Sequence, residues 1–276
     1  MRAESIIADA GRRLRAVGIE NGPQEARWLL AGVVESHPIC SGGSELLPEQ
    51  MRIFEAQLER RLQGEPLQYV MGTAAFYCIE LEVGPGVLIP RPETEQLVEL
   101  ALAHASQGVE VLDLCTGSGA IALAMAACRP DSHFTGVDIS PEALAYARRN
   151  QQRLQLANVE FLEGDLFAPL SPPRRFGLIT ANPPYVSQAD YEGLERVVRD
   201  YEPALALLGG QDGLDLIRRI LDGAGRFLQP GGWLLSEIGE EQGEAVRALA
   251  LKAGFGQVQI RLDYSEKPRF LVAQIG

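Results

Sequence analysis

The stretch Leu178-Ile-Thr-Ala-Asn182-Pro183-Pro184-Tyr185-Val186 joins a strand-like run to two consecutive prolines. Residues 176–180 are mostly apolar and partly β-branched, which predicts a short buried strand. The prolines must end that strand, because neither can donate a hydrogen bond to a sheet. Polar groups are therefore expected just beyond the carboxyl end of a strand, the edge at which open α/β sheets bind ligands.

Asn182 and the residues that follow it are suited to gripping a planar amino group. The side-chain oxygen of Asn182 and the carbonyl oxygen of Pro183 can together accept both hydrogens of an NH2 group, and Tyr185 can stack on its plane. This arrangement favours a site for an amide or an aromatic amine whose nitrogen stays open to an electrophile. An ordinary turn is the alternative, since Asn-Pro is a common turn dipeptide.

Another predicted strand end lies upstream, in Glu110-Val-Leu-Asp113-Leu-Cys115-Thr-Gly117-Ser-Gly119-Ala-Ile-Ala122. The pattern predicts a strand, a glycine-rich turn and the start of a helix. Glycines let the backbone approach a ligand closely, and a helix N-terminus favours partial negative charge. The spacing Gly117-x-Gly119-x-x-Ala122 also matches a dinucleotide-binding fingerprint, which identifies little by itself.

Two further acids follow predicted strands. Asp138 comes after the strand predicted at 134–137 and lies 19 positions beyond Gly119, the distance at which an acid accepts hydrogen bonds from ribose hydroxyls. A surface helix cap is the alternative for Asp138. Asp165 comes after the strand predicted at 159–162, where it can accept from an adenine amino group while Leu166 and Phe167 pack on the ring.

The C-terminal part of the chain predicts two closing strands, at 257–262 and 270–275. Only a short link joins them, so they are expected to be antiparallel. A plain dinucleotide-binding fold, in which all strands cross over in parallel, does not have such a tail.

Residues 1 to about 72 predict helices only. The first run places four apolar residues on one face before Gly18, a suitable helix end: Ile6, Ile7, Leu14 and Val17. Pro23 and Pro48 begin the second and third helices. Trp28 and Phe54 are expected in the core, as most large aromatic side chains are. The prediction is a small helical bundle without chemistry of its own.

A change of pattern at 74–89 predicts a β-hairpin connector, with β-like runs at 76–79, 81–83 and 87–89. Pro92 is then placed to begin a helix, with acids in its first turn. Capping explains those acids but does not explain Arg91 between two prolines. Arg91 is therefore expected to contact either a carboxylate or a substrate.

Composition narrows the function classes. The 276 residues are 46% hydrophobic and 22% charged, and no apolar run reaches the length of a membrane span. The net charge of −12 weighs against a nucleic-acid surface, which needs a basic excess. Four cysteines and three histidines show no metal-ligand spacing. The start, Met-Arg-Ala-Glu-Ser, lacks signal-peptide character, so a cytoplasmic protein with reduced thiols and no metal is expected.

Taken together, these strand-end residues and the antiparallel tail resemble a class I S-adenosylmethionine-dependent methyltransferase. The expected fold is α/β, a Rossmann-like seven-stranded sheet with an antiparallel last strand, plus a small N-terminal helical bundle. Four segments have sequences similar to motifs of the bacterial release factor glutamine methyltransferase (HemK/PrmC) family. They are residues 64–72, 91–95, 202–203 and 210–214. The resemblance implies a substrate-recognition domain at 1–73, the hairpin connector at 74–91 and a methyltransferase domain at 92–276.

The resemblance also implies roles for individual residues. The cofactor, S-adenosylmethionine, is expected to be bound by Asp113, Cys115, Thr116, Gly117, Ser118, Gly119, Asp138, Asp165, Leu166, Phe167 and Asn182. The residues implied for catalysis are Asn182, Pro183 and Tyr185, and those for substrate binding are the same three with Pro184 and Arg91. The expected partner is a peptide chain release factor, with no membrane and no sequence-specific nucleic acid.

The sequence departs from the family at two places. Cys115 stands where the family usually has glycine, so this position is expected not to need a positive φ. The segment 263–267 lacks the glycine often found near the final hairpin, which leaves the geometry of that turn open. The same sequence around Gly117 and Gly119 also occurs in a sister family that methylates a glutamine of a large-subunit ribosomal protein.

The implied reaction is direct displacement by a glutamine amide nitrogen at a sulfonium methyl group. Besides the ribosomal-protein methyltransferase, three other functions remain open. An adenine-specific nucleic-acid methyltransferase would use the same grip on an exocyclic amine, against the acidic charge balance. A nicotinamide-dependent dehydrogenase fits the glycine turn and Asp138 but leaves Asn182–Tyr185 unexplained. A non-catalytic translation-factor-binding protein would need no cofactor turn.

Overall fold

The computed structural model describes residues 3–36, 46–171 and 174–276. The chain forms two compact units, one made of the residues up to Thr73 together with Arg196–Tyr201, the other of Ala74–Glu195 and Glu202–Gly276. Arg196–Tyr201 is remote in sequence from the rest of the first unit but packs with it. For example, the Tyr201 hydroxyl donates a hydrogen bond to the Gln63 carbonyl at 3.0 Å. His37 and Cys40 lie outside the described residues.

The first unit is helical, as the sequence predicts. Its helices up to Thr73 are α1 (Ala3–Ala16), α2 (Gly22–Ser36), α3 (Pro48–Leu62) and α4 (Leu67–Met71). Gly18 and Gly64 follow α1 and α3 with φ of +89° and +96°, backbone angles that glycine adopts without strain. Leu14, Leu29 and Phe54, from three different helices, meet in a fully buried core.

One residue expected in this core, Trp28, is exposed instead. The side of α2 that is buried carries Ala26, Leu29, Leu30 and Val33, a spacing of three, one and three positions that forms one stripe. Trp28 is off this stripe and is 47% exposed. Val17 follows the last residue of α1 and is 53% exposed. The prediction of a buried position is therefore right for Phe54 and wrong for Trp28, and Val17 does not share the buried position of Leu14 on the same predicted face.

The predicted hairpin is present, with a different turn. Its strands are β1 (Thr73–Phe76) and β2 (Ile79–Glu82). Tyr77 and Cys78 form the turn between them, and Tyr77 has φ of +52°. A strand across 76–79 was therefore a wrong prediction, because a two-residue turn divides that run. Residues 87–89 form no strand either, although Val87 and Ile89 are buried.

The remaining elements build one large sheet with helices around it, except for one helix that belongs to the first unit. They are α5 (Pro92–His104), β3 (Glu110–Leu114), α6 (Ala120–Cys128), β4 (His133–Asp138), α7 (Pro141–Leu154), β5 (Val159–Glu163), β6 (Phe176–Ala181), α8 (Gln188–Tyr191), α9 (Arg196–Arg199, in the first unit), α10 (Asp215–Ala224), β7 (Leu228–Glu237), α11 (Gly243–Lys252), β8 (Phe255–Leu262) and β9 (Pro268–Ile275). The strand order is β5-β4-β3-β6-β7-β9-β8. The expected seven-stranded sheet is thereby confirmed.

Strand order places the candidate residues at one edge of the sheet. The chain runs outward through β3, β4 and β5, then returns to place β6 on the other side of β3. β3 and β6 are parallel, and Leu114 pairs with Ala181 at their carboxyl ends. The turn after Leu114 and the segment that begins at Asn182 therefore emerge side by side, at the topological switch point where such sheets bind ligands.

α10 and α11 cover one face of this sheet. Four residues of α10 point inward at helical spacing: Ile217, Ile220, Leu221 and Ala224. They belong to the same core cluster as Ile179 of β6, Leu234 of β7 and Val246 of α11. Nothing in the helices of the described ranges has both the length and the apolar character to cross a membrane.

The antiparallel tail is confirmed. β9 lies between β7 and β8 and runs antiparallel to both. The turn at 263–267 forms without a glycine. The buried Asp263 carboxylate stabilises it by accepting hydrogen bonds from the backbone N–H groups of Ser265 (2.9 Å) and Lys267 (3.0 Å). Glu266 adopts the left-handed conformation that a glycine would otherwise supply, with φ of +61°.

This turn predicts a stabilising substitution. Glu266 is exposed, and a non-glycine residue in the left-handed region costs about 1–2 kcal/mol. Glu266→Gly should raise the free energy of unfolding by about 0.5–1 kcal/mol, since the relief of strain exceeds the added entropy of the unfolded chain. Glu266→Ala is the matched control, because it removes the same side chain and keeps the strain. Urea denaturation that gives the two variants equal stability would contradict this explanation.

Candidate functional site

The turn from β3 into α6 has an unusual backbone. Cys115, Gly117 and Gly119 have φ of +56°, +57° and +82°. The expectation that Cys115 does not need a positive φ is therefore wrong, because the chain leaves β3 through a left-handed residue at this position. At Gly119 a Cβ atom would lie 2.8 Å from Leu123 Cδ1 and 2.9 Å from Phe161 Cζ. With a positive φ and these close neighbours, glycine is the residue that this position accommodates without strain.

Asp113 supports this turn from beneath. Its side chain is buried and accepts hydrogen bonds from the hydroxyls of Thr116 (2.5 Å) and Thr180 (2.8 Å). Burial raises the pKa of Asp113 to about 6, against the opposing effect of these two hydrogen bonds. Thr116 belongs to the turn and Thr180 to β6, so one carboxyl group ties the turn to the neighbouring strand.

Asp138 fixes the other side of the turn. One of its carboxylate oxygens accepts from the backbone N–H of Gly117 at 2.8 Å, and the other accepts from the N–H of Ser140 at 2.9 Å. Burial raises the pKa of Asp138, while the backbone hydrogen bonds from Ser140 and Gly117 act in the opposite direction. Each carboxylate oxygen retains a second lone pair, so the pair of oxygens can also accept from two adjacent hydroxyls.

These elements enclose a cavity of about 260 Å³. It lies at the carboxyl ends of β3, β4 and β6, and residues 86–90 and 203–208 complete its wall. The candidate residues that line it are Cys115, Thr116, Gly117, Ser118, Asp138, Asp165, Leu166, Asn182 and Pro184. The candidates that are not among the lining residues are Arg91, Asp113, Gly119, Phe167, Pro183 and Tyr185. The structure therefore brings most of the candidate residues to one cavity.

Leu166 and Phe167 point in different directions. Leu166 has φ of +52° and lines the cavity. Phe167 stacks on Phe227, with ring centroids 4.9 Å apart, and packs against the core. The expected packing of both side chains on one ligand ring is wrong for Phe167, because adjacent residues cannot both face the cavity here. Asp165 lines it but is also paired with Arg219 at 2.7 Å.

Arg91 contacts a carboxylate, which was one of its two expected partners. Its guanidinium lies 2.5 Å from Glu202, whose side chain is buried and also accepts from the backbone N–H of Ile89 at 3.0 Å. Glu202 directly precedes Pro203, which lines the cavity. The ion pair therefore fixes the loop that forms this part of the wall.

The segment Asn182–Tyr185 is held by two residues that the sequence did not single out. Asn182 Nδ2 donates to the Thr94 hydroxyl at 3.2 Å, and that hydroxyl donates to Glu237 at 2.7 Å. The Tyr185 hydroxyl donates to the other oxygen of Glu237 at 3.0 Å. Glu237 is the last residue of β7. The sequence could have pointed to Glu237 in the way that it pointed to Asp138, since both acids stand at the end of a strand.

Burial changes the acidity of the groups in this network. Burial raises the pKa of Glu237, whereas the hydrogen bonds from Thr94 and Tyr185 and the charge of Arg269 lower it. Burial, and then the charge of Glu237, raises the pKa of the Tyr185 hydroxyl. Tyr185 therefore stays protonated and serves as a hydrogen-bond donor to Glu237.

The loop that contains Gly213 packs directly on the Tyr185 backbone. A Cβ atom at Gly213, which has φ of +74°, would collide with the Tyr185 carbonyl oxygen. Gln242 donates from Nε2 to the carbonyls of both Tyr185 (3.0 Å) and Gly213 (3.3 Å). The glycine-rich loop at 209–214 is thus a support for the Asn182–Tyr185 segment.

Two parts of the chain match known protein families, and whole-chain relatives are found among known proteins. Residues 5–72 match the family described as a PrmC N-terminal domain, and residues 105–253 match a methyltransferase domain family. The chain is 42% identical over 257 residues to the release factor glutamine methyltransferase of Thermodesulfovibrio yellowstonii, covering 91% of this chain and 92% of that protein. It is 43% identical over 262 residues to the protein of the same name from Geobacter sulfurreducens, with 94% and 92% covered.

Among solved structures, a methyltransferase from Pyrococcus furiosus is similar, with a TM-score of 0.56. It is 20% identical, and the match covers 80% of this chain and 99% of that chain. At this level of identity the likeness concerns the fold alone.

Asp113 predicts a pH dependence of stability. Its pKa of about 6 in the folded protein exceeds the value of 3.8 expected for an unperturbed Asp, so the folded state holds the proton more tightly. The resulting stabilisation is complete below about pH 4 and is lost as the pH rises through about 6. The free energy of unfolding should fall by about 3 kcal/mol across this window relative to Asp113→Asn, which does not titrate. Parallel curves for the two proteins in urea denaturation would refute this.

Proposed function

The chain belongs to the release factor glutamine methyltransferase family, and we propose that it methylates the side-chain amide nitrogen of the glutamine in a release factor's Gly-Gly-Gln motif. The observation that carries this proposal is the Asn182 side chain at the cavity wall, with its amide nitrogen engaged by Thr94. Its amide oxygen is left to accept a hydrogen from an incoming amide.

The cavity residues fit S-adenosylmethionine. The two oxygens of Asp138 retain lone pairs for the two ribose hydroxyls, and residues 115–118 of the turn line the space that would take the methionine part. Leu166 supplies an apolar surface for the adenine ring, and Asp165 an acceptor beside it. When bound, S-adenosylmethionine supplies an electrophilic methyl group on a sulfonium centre.

On the acceptor side, the task of the protein is to orient a poor nucleophile. The lone pair of an amide nitrogen is delocalised into the carbonyl group, so its direction has to be imposed. The Asn182 oxygen and the Pro183 carbonyl would accept the two hydrogens of the glutamine NH2 group and stabilise the positive charge that grows on nitrogen. Tyr185, anchored at its hydroxyl by Glu237, would pack on the plane of the amide.

No strong general base is required for this reaction. The methylated amide nitrogen carries a positive charge and is acidic, so its proton leaves readily after transfer. In keeping with this, no histidine is found among the described residues that line the cavity. His104 is placed against Trp233 instead, with ring centroids 4.5 Å apart.

The N-terminal unit would select the substrate. The proposed grip recognises an amide that every glutamine shares, so discrimination has to come from contacts elsewhere on the partner. In this proposal the domain at 1–73 docks the release factor, while the hairpin at 74–91 connects it to the methyltransferase domain at 92–276. The net charge of −12 favours a protein substrate over nucleic acid.

Two substitutions should separate acceptor binding from cofactor binding. Asn182→Ala should lower kcat about 100-fold, as the loss of one charge-stabilising hydrogen bond does in other enzymes, and leave the affinity for S-adenosylmethionine unchanged. Asp138→Ala should weaken cofactor binding by about 1–3 kcal/mol. Calorimetry and steady-state kinetics measure the two effects. Unaltered cofactor affinity in Asp138→Ala, or an Asn182→Ala defect confined to cofactor affinity, would show that the roles are misassigned.

The substrate class is tested with three acceptors. The full chain is incubated with S-adenosylmethionine and a release factor, a large-subunit ribosomal protein or adenine-containing DNA, and the products are analysed by mass spectrometry. The proposal expects one methyl group on the motif glutamine of the release factor, and none on a release factor in which that glutamine is replaced by glutamate. A methyl group on the ribosomal protein alone, or on adenine, would overturn the proposal.

A further inference from the structure

The direction of the Asn182 amide decides what it can offer to a substrate. Turned one way it presents an oxygen, which accepts a hydrogen from an NH2 group; turned the other way it presents an NH2 group, which cannot. We propose that Glu237 is a positioning residue that acts through Thr94 to keep the Asn182 oxygen directed to the substrate. The inference rests on the proposed function, since it concerns the group assigned there to grip the glutamine.

The Thr94 hydroxyl transmits the preference. It lies 2.7 Å from Glu237 Oε2 and 3.2 Å from Asn182 Nδ2. The hydrogen bonds from Thr94 and Tyr185 and the charge of Arg269 favour the ionised form of Glu237 against the effect of its burial. A hydroxyl has one proton, and a carboxylate has none to offer, so Thr94 donates to Glu237. The Thr94 oxygen can then only accept, and Asn182 must turn its NH2 group towards it. The opposite amide orientation would set two acceptor oxygens against each other with no proton between them.

Burial makes this preference strong. Thr94 and Glu237 are 3% and 1% exposed, so water cannot replace a missing partner, and an unsatisfied buried polar group costs about 1–3 kcal/mol. Glu237 also receives the Tyr185 hydroxyl on its second oxygen at 3.0 Å. One carboxylate therefore holds the Asn182–Tyr185 segment at both ends, through Thr94 at Asn182 and directly at Tyr185.

Four variants test this relay, in which Glu237 acts on the Asn182 amide through the Thr94 hydroxyl. In Glu237→Gln the new NH2 group can donate to Thr94, which lets the hydroxyl donate to the Asn182 oxygen and turn the amide around. Thr94→Val removes the hydroxyl at nearly constant volume. Thr94→Ser restores it, and Ser236→Ala is a matched buried control next to Glu237 in β7. Turnover is measured with a release factor, and the Kd for S-adenosylmethionine by calorimetry.

The expected result is a selective loss of turnover. Glu237→Gln and Thr94→Val should lower kcat at least about 10-fold, within the range for lost transition-state hydrogen bonds, with the cofactor Kd within about twofold of the wild type. Thr94→Ser and Ser236→Ala should stay within about threefold of the wild-type kcat. A role of Thr94 in filling space alone would be kept by valine, which has nearly the same volume. A role of its hydroxyl would be lost in Thr94→Val and kept in Thr94→Ser.

Several outcomes would overturn the relay. Wild-type turnover in Glu237→Gln and Thr94→Val is one, and a parallel loss of cofactor affinity, which indicates general damage, is another. If Glu237→Gln does not fold, the comparison of Thr94→Val with Thr94→Ser decides, and equal turnover in these two rejects the relay. A wild-type chain that leaves the release factor unmodified overturns the proposed function itself, and the relay with it.

Discussion

The parallel pairing of β3 with β6 is the constraint on which the site depends. It places Leu114 beside Ala181, so the glycine-rich turn and the Asn182 segment leave the sheet as neighbours although 67 positions separate their strand ends in the sequence. The strand order, which reverses between β5 and β6, opens a crevice at that point. The glycine-rich turn and Asn182 thereby come to line a single cavity.

Buried carboxyl groups then fix the position of each wall. Asp113 ties the turn to β6 through two threonine hydroxyls, Glu202 holds the 203–208 loop through Arg91 and a backbone N–H, and Glu237 holds the Asn182–Tyr185 segment. A buried acid without partners is costly, and each of these acids is hydrogen-bonded to groups on neighbouring elements. The acids are thus part of the framework of the cavity.

The sequence predicted the parts of the structure that repeat simple local rules. Strand runs that end in Asp138 or in Asn182 are visible in the sequence, and the short link between the last two strands predicted their antiparallel pairing. The exposure of Trp28 could have been predicted from the stripe at 26, 29, 30 and 33, which excludes it. Family resemblance, rather than any local rule, supplied the substrate.

The remaining features depend on tertiary contacts that local patterns do not encode. The left-handed backbone at Cys115 follows from the path of the chain between β3 and α6, and cysteine gives no sign of it. Phe167 faces the core because Leu166 takes the cavity side. Thr94 and Glu237, 143 positions apart, meet only once β7 lies next to β6 and α5 packs behind it.

The proposed function requires Asn182 and Pro183 to accept the two hydrogens of the glutamine amide. A crystal structure of the full chain with S-adenosylhomocysteine and a release factor measures this directly. We predict the glutamine nitrogen within about 2.7–3.2 Å of both the Asn182 side-chain oxygen and the Pro183 carbonyl oxygen, the range of N–H···O hydrogen bonds. A glutamine that presents its carbonyl oxygen to Asn182, or that binds outside the cavity, would contradict the account.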